Sequence, residues 1–105
     1  MVITLEVSSK DYVSDKLAVK MALSHMETLI GTPNGYLISD PYSKFGWTFF
    51  KVAIKSELHD GIERKFADML DKYRWGNKEE KFTKFMTDYF ASKGCSVKIK
   101  SISSA

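Results

Sequence analysis

The period of the apolar residues changes several times along the chain, and this constrains the fold more than any other feature of the sequence. Apolar and polar residues alternate over 3–8, which predicts a strand with one buried face. The apolar residues then recur at helical spacing from Tyr12 to Ile30, and Gly31–Gly35 ends that helix with a glycine cap and a proline. The expected buried face of this helix consists of Leu17, Ala18, Met21, Ala22, Met26 and Leu29.

The rest of the chain repeats both patterns. Residues 36–39 predict a short strand, 40–44 a turn, and 46–55 a strand rich in aromatic and β-branched residues, so that the two strands form a hairpin. Two helical segments follow, and Asn77 with Glu80 resembles a capping box at the start of the second. In the last predicted strand Cys95, Val97 and Ile99 alternate with Ser96, Lys98 and Lys100, and a frayed tail is expected from Ser101 onward.

This order of elements, β-α-β-β-α-α-β, predicts a single α+β domain over residues 1–105. The expected architecture is a ferredoxin-like sandwich, with a four-stranded, mainly antiparallel sheet and the helices mostly on one face. A length of 105 residues suits one domain. Because 44% of the residues are hydrophobic and 28% charged, a folded chain is expected rather than a disordered one.

The cysteine content and the absence of a targeting pattern bear on location. Cys95 is the single cysteine, so a disulfide within the chain is excluded and a reducing compartment fits. The N-terminal residues lack a basic segment and reach Glu6 early, which is unlike a signal peptide. The most apolar stretch, 47–54, is interrupted by Lys51 and is too short to span a bilayer. We expect a cytoplasmic protein that does not enter a membrane.

No arrangement of residues indicates catalysis. His25, His59 and Cys95 are not spaced as a zinc ligand set. We expect His25 to be a partly buried helix residue, His59 to lie in a surface turn and Cys95 to be a small buried side chain. Neither a nucleophile motif such as G-x-S-x-G nor a glycine-rich phosphate loop occurs. The prediction is a protein without enzyme activity, cofactor or metal.

The strand over 46–55 offers the most unusual surface. Its Thr48, Phe50, Val52 and Ile54 form an apolar face that suits the core. Side chains on a strand alternate between two faces, so Trp47, Phe49, Lys51 and Lys55 belong to the opposite face. Aromatic rings beside lysines, away from the core, are typical of an interaction surface. These four residues are therefore the predicted partner-binding site.

Three interpretations of this surface remain open. The first is a small regulatory or inhibitory protein that docks on a protein partner, or on a second copy as a homodimer. The second follows from Gly46–Val52, which resembles the third strand of the RNA-recognition motif; that resemblance implies single-stranded nucleic acid stacked on Trp47 and Phe49. The third is that a helix covers the two rings.

A basic cluster around the break between the later helices is a second candidate surface. The net charge of +3 permits an anionic partner without requiring one. Acidic residues interrupt this cluster, which favours an ordinary solvated helix face. The cluster consists of Lys72, Arg74, Lys78, Lys81 and Lys84.

Overall fold

The computed structural model describes residues 3–74, 76–95 and 97–104, and within them the chain forms five strands and four helices. In chain order these elements are β1 (Ile3–Ser9), α1 (Tyr12–Ile30), β2 (Tyr36–Ile38), β3 (Tyr42–Lys44), β4 (Trp47–Ile54), α2 (Ser56–Lys65), α3 (Ala67–Leu70), α4 (Lys78–Ser92) and β5 (Lys98–Ser104). The fold combines helices with an open antiparallel sheet, so the predicted α+β class is confirmed.

The sheet has the strand order β2-β4-β1-β5, and all its pairs are antiparallel. Both β2 and β3 pair with β4 along the same edge, because β1 occupies the other edge. The turn predicted over 40–44 is therefore wrong for Tyr42–Lys44, which form a strand. The reversal occurs in two residues, Phe45 and Gly46, which both have positive φ, as a tight hairpin turn requires.

The tail predicted from Ser101 onward is also wrong. Strand β5 continues to Ser104 and pairs with β1 over most of its length, with a register shift between Thr4 and Leu5. The open edge of β1 offers backbone partners that a tail in water would lack, and this explains the longer strand. Cys95 precedes β5 and does not belong to it, and Ser96 lies outside the described residues.

One face of the sheet builds the core. The inward-facing side chains of β1 and β4 alternate with outward-facing ones, as predicted, and the inward ones are almost completely buried except for Thr48, which is half-buried. They join the buried side chains of the helices in one cluster, which leaves the other face of the sheet open. The sheet contributes Ile3, Leu5, Val7, Phe50, Val52 and Ile54 to this cluster.

Helix α1 uses a different face from the predicted one. Ala22 and Met26 are buried as expected, but Leu17, Met21 and Leu29 are exposed. Apolar residues lie on several sides of this helix, so helical spacing alone is compatible with the burial of more than one face. The residues that the sheet and the other helices bury are Asp15, Val19, Ala22, Leu23 and Met26.

The buried carboxylate of Asp15 has a polar partner at the start of α1. The Ser9 hydroxyl donates a hydrogen bond to Asp15 at 2.5 Å and accepts one from the Asp11 backbone N–H at 3.1 Å. A buried carboxylate is tolerated when it is hydrogen-bonded, so this contact fixes the junction between β1 and α1.

Helix α4 begins with the predicted capping box. The Asn77 side chain accepts a hydrogen bond from the Glu80 backbone N–H at 2.9 Å, and the Asn77 N–H donates to the Glu80 carboxylate at 3.3 Å. Its apolar face, with Phe82, Phe85 and Phe90, then packs into the core. None of the described helices is long and apolar enough to cross a membrane.

Candidate partner-binding surface

The sheet face that points away from the core is defined by alternation along each strand and by pairing between strands. Directly paired residues of an antiparallel sheet project to the same side, so the register extends the outward face of β4 across its neighbours. We call this surface the open face. It comprises Thr4, Glu6, Ser8, Leu37, Tyr42, Lys44, Trp47, Phe49, Lys51, Ala53, Lys98 and Lys100.

Trp47 lies beneath two lysine side chains. The Nζ atoms of Lys10 and Lys98 are 4.8 Å and 5.3 Å from the centre of its ring. Lys98 reaches the ring from β5, across the intervening strand β1. An ammonium group over an aromatic ring at this distance is attracted by the ring quadrupole. Trp47 is therefore partly buried, and two cationic groups are held above it.

Phe49 is paired with a second aromatic ring. Tyr42, its register partner on β3, stacks on it with ring centres 5.2 Å apart and the planes inclined by 20°. The Tyr42 hydroxyl also donates a hydrogen bond to Glu6 at 3.0 Å, and this bond raises the pKa of Tyr42. Sequence reasoning placed Tyr42 in a turn and missed it as part of the surface.

The charges on the open face are strongly one-sided. Four lysines belong to it, and Lys10 adds a fifth ammonium group above Trp47. Glu6 is the single carboxylate of the defined set, and its register neighbours are Lys51 on one side and Lys100 on the other. The result is a basic surface whose aromatic rings lie at the end of β4 nearest the β3–β4 hairpin.

Lys55, a predicted site residue, is separate from this group. It follows the end of β4 and occupies the N-cap position of α2. Its backbone N–H donates a hydrogen bond to the Gly35 carbonyl at 2.8 Å, and its side chain is partly buried. Trp47, Phe49 and Lys51 are thus brought together, whereas Lys55 lies at the junction between the sheet and α2.

The second basic cluster is spread over several surfaces. Lys72 and Arg74 follow α3, and the other three members lie on the first part of α4. Lys78 lines one cleft and Lys84 lines another, and Glu79 lies in the wall of both. An acidic residue between the two clefts weakens their combined positive field. These lysines and Arg74 do not form one continuous basic groove.

His59 occupies a position that the sequence interpretation did not anticipate. The prediction of a surface turn is wrong, because α2 begins immediately after β4 and places His59 against α4. The residue is 7% exposed, and its side chain contacts the Phe82 ring edge-on, with ring centres 4.8 Å apart. Its Nε2 lies 2.9 Å from the Glu63 carboxylate, one helical turn away, at an angle too poor for a hydrogen bond.

The cleft beside His59 has a volume of about 610 Å³ and mixed charge. Arg64 and Lys78 contribute positive groups to its wall, while Asp60, Glu63 and Glu79 contribute negative ones. Both ring nitrogens of His59 are closed off from solvent, so in this arrangement they do not reach a molecule in the cleft.

His25 and Cys95 have their own separate partners. His25 is exposed, so the predicted partial burial is wrong, and its Nδ1 lies 2.9 Å from the Tyr89 hydroxyl.

Cys95 is buried as predicted, and its thiol donates a weak hydrogen bond to the Asp15 carbonyl at 3.7 Å. Burial, with the Asp15 carboxylate adding to it, raises the pKa of Cys95 to about 12. A thiol held protonated in this way is a poor nucleophile.

Over residues 3–74, 76–95 and 97–104, no group of three or more His, Cys, Asp or Glu side chains is placed to hold a metal ion. The open face combines a stacked Tyr42–Phe49 pair with two lysines over Trp47. Comparison of the chain with protein-family models, with curated protein sequences and with solved structures found no match.

Proposed function

We propose that this chain is a non-catalytic binding module, a small regulatory or inhibitory protein that docks on an acidic surface of a protein partner through the open face. The observation that supports this best is the clustering of lysines from separate elements on the open face, where the ammonium groups of Lys10 and Lys98 lie over Trp47. Lys10 comes from the loop after β1, Lys44 from β3, Lys51 from β4, and Lys98 and Lys100 from β5. We further propose a ferredoxin-like arrangement, which the strand order β2-β4-β1-β5 supports.

The state of the aromatic rings favours a protein partner over a nucleic acid. A base stacks on a ring only where the flat face of that ring is free. Tyr42 covers one face of Phe49, and ammonium groups lie over Trp47. The surface thus presents charged groups supported by rings rather than free rings, and carboxylates of a protein partner complement such groups.

Single-stranded nucleic acid is the second candidate, and a specific observation favours it. Tyr42 is 48% exposed at the edge of the sheet, so part of its ring remains available for a base. The same lysines that suit carboxylates suit phosphates. This candidate agrees with the resemblance of Gly46–Val52 to the RNA-recognition motif.

Self-association through the open face is less favourable. A two-fold dimer brings the same patch of each copy together, so the five lysines of one copy would face those of the other. Like charges across an interface oppose association. A homodimer, if one forms, is expected to use another surface.

Site-specific photocrosslinking tests the proposal. Benzoyl-phenylalanine would replace Tyr42 on the open face in one variant and the exposed Met69 of α3 in a matched control. Both would be irradiated in extract from cells that naturally contain the chain, with and without nuclease. We expect one acidic protein to be crosslinked at position 42 alone, with the same yield after nuclease treatment.

Other outcomes would contradict the proposal in distinct ways. An adduct at position 42 that nuclease treatment removes would favour the nucleic-acid candidate. An adduct at position 69 and none at position 42 would show that the helical layer, rather than the open face, meets the partner.

A further inference from the structure

Phe45 lies at the tip of the β3–β4 hairpin and is 89% exposed, more than any other large apolar side chain described. It adjoins Lys44, whose register partner is Trp47, so the tip extends the open face at its end. The Lys44 ammonium lies 5.4 Å from the centre of the Phe45 ring. An almost fully exposed phenyl ring thus lies beside Lys44, one of the lysines of the proposed docking surface.

The backbone at this position makes phenylalanine an unfavourable choice for the fold. Phe45 has φ +55° and Gly46 has φ +78°. A two-residue turn with positive φ at both positions strongly prefers Asn-Gly, because asparagine and glycine enter the left-handed region most easily. A bulky residue with positive φ is a genuine outlier. Neither burial nor turn geometry explains why phenylalanine stands there.

Strained residues that the fold does not require are concentrated at functional sites. We infer that Phe45 is the apolar anchor of the docking surface, and that it packs against apolar side chains lying between carboxylates on the acidic partner. Aromatic residues are enriched in the buried parts of protein interfaces, and a lysine beside such a residue suits an acidic partner. This inference rests on the proposed function and adds to it a requirement for apolar groups on the partner.

Two defined polymers test the anchor. Poly-L-glutamate supplies carboxylates alone, and a random glutamate–tyrosine copolymer supplies carboxylates with rings between them. The wild-type chain should bind the copolymer at least about fivefold more tightly at matched charge and salt, since burying part of one ring provides a gain of this order. Phe45→Asn should lose this preference and retain the affinity for poly-L-glutamate.

Two further variants and a melting experiment separate the anchor from a structural role. Phe45→Leu keeps an apolar side chain and should retain the preference. Leu17→Asn removes an exposed apolar side chain from α1, on the helical layer, and should retain it too. Phe45→Asn should also melt at a higher temperature than the wild type, because asparagine relieves the backbone strain.

The polymer-binding results test the Phe45 anchor separately from the proposed function of the open face. Equal binding of the two polymers by the wild type, or a preference that survives Phe45→Asn, would overturn the anchor while leaving the basic open face intact. A wild-type chain that binds neither polymer would overturn the proposed function and the anchor together.

Discussion

Phe49 and Phe50 are adjacent on β4 and point to opposite faces of the sheet, so truncating each to alanine should have very different effects. Phe50 is fully buried and contacts Tyr12 edge-on, with ring centres 5.5 Å apart. Truncating a buried phenylalanine costs about 3–5 kcal/mol. Phe49 is partly exposed and loses mainly its stack on Tyr42, so Phe49→Ala should cost about 1–2 kcal/mol.

Urea unfolding followed by circular dichroism measures both losses. If Phe50→Ala does not fold, Phe50→Leu supplies a folded comparison that still perturbs the core. Poly-L-glutamate binding should weaken in Phe49→Ala, because Tyr42 loses its support, and should persist in the folded core variant. A Phe49→Ala variant as unstable as Phe50→Ala would refute the assignment of Phe49 to the open face.

Two further predictions concern the fold and the buried thiol. Asn77→Ala should lower the free energy of unfolding by about 1 kcal/mol, since the cap of α4 is lost; an unchanged melting temperature would contradict the capping box. Cys95 should resist Ellman's reagent until the chain unfolds, and rapid labelling of the native chain would contradict its burial. Folding raises the pKa of Cys95 from 9.0 to about 12, so the folded chain holds the thiol proton more tightly than the unfolded chain. The contribution of this thiol to the free energy of unfolding is therefore fully present below about pH 9 and is lost as the pH rises towards 12. Cys95→Ala should reduce this alkaline loss in urea unfolding at a series of pH values.

Strict alternation allowed much of the sheet and part of the open face to be predicted. Residues in β1 and β4 have a period of two, and a period of two leaves a single choice of buried face. Trp47, Phe49 and Lys51 were assigned to the outward side on this basis, and that is where they lie. The cap at Asn77 was predictable for a similar reason, because its chemistry is local.

Tyr42 and Lys10 escaped prediction because their roles depend on a turn and on a loop path that the residues do not signal. Pairing of Tyr42 with Phe49 requires a two-residue turn, and Phe45 is not a residue that signals one. The contact of Lys10 with Trp47 depends on how the loop after β1 passes the sheet. Both are tertiary features that local spacing does not encode.

Helix α1 and His59 illustrate a second limit. Apolar residues on several sides of α1 leave its orientation to be chosen by the surfaces it packs against, which is why Leu17 and Met21 proved to be exposed. His59 was assigned to a turn because the start of α2 directly after β4 was not recognised. Its i,i+4 relation to Glu63 was the signal in the sequence that could have placed it on a helix.

A pair of charge-reversal variants tests the central claim, docking through the open face, most directly. One variant combines Lys51→Glu with Lys98→Glu on the open face, and its control combines Lys72→Glu with Lys84→Glu in the second basic cluster. Each change removes two units of charge, so both variants go from +3 to −1, since 3 − 4 = −1. They therefore differ in the position of the charge and not in its amount.

The measurement is the dissociation constant for poly-L-glutamate at low salt, where electrostatic attraction is screened least. The open-face variant should bind more weakly than the control by about tenfold or more, because both of its changes lie on the open face. Equal losses in the two variants would show that net charge alone governs binding. A larger loss in the control would move the site to the second basic cluster and contradict docking through the open face.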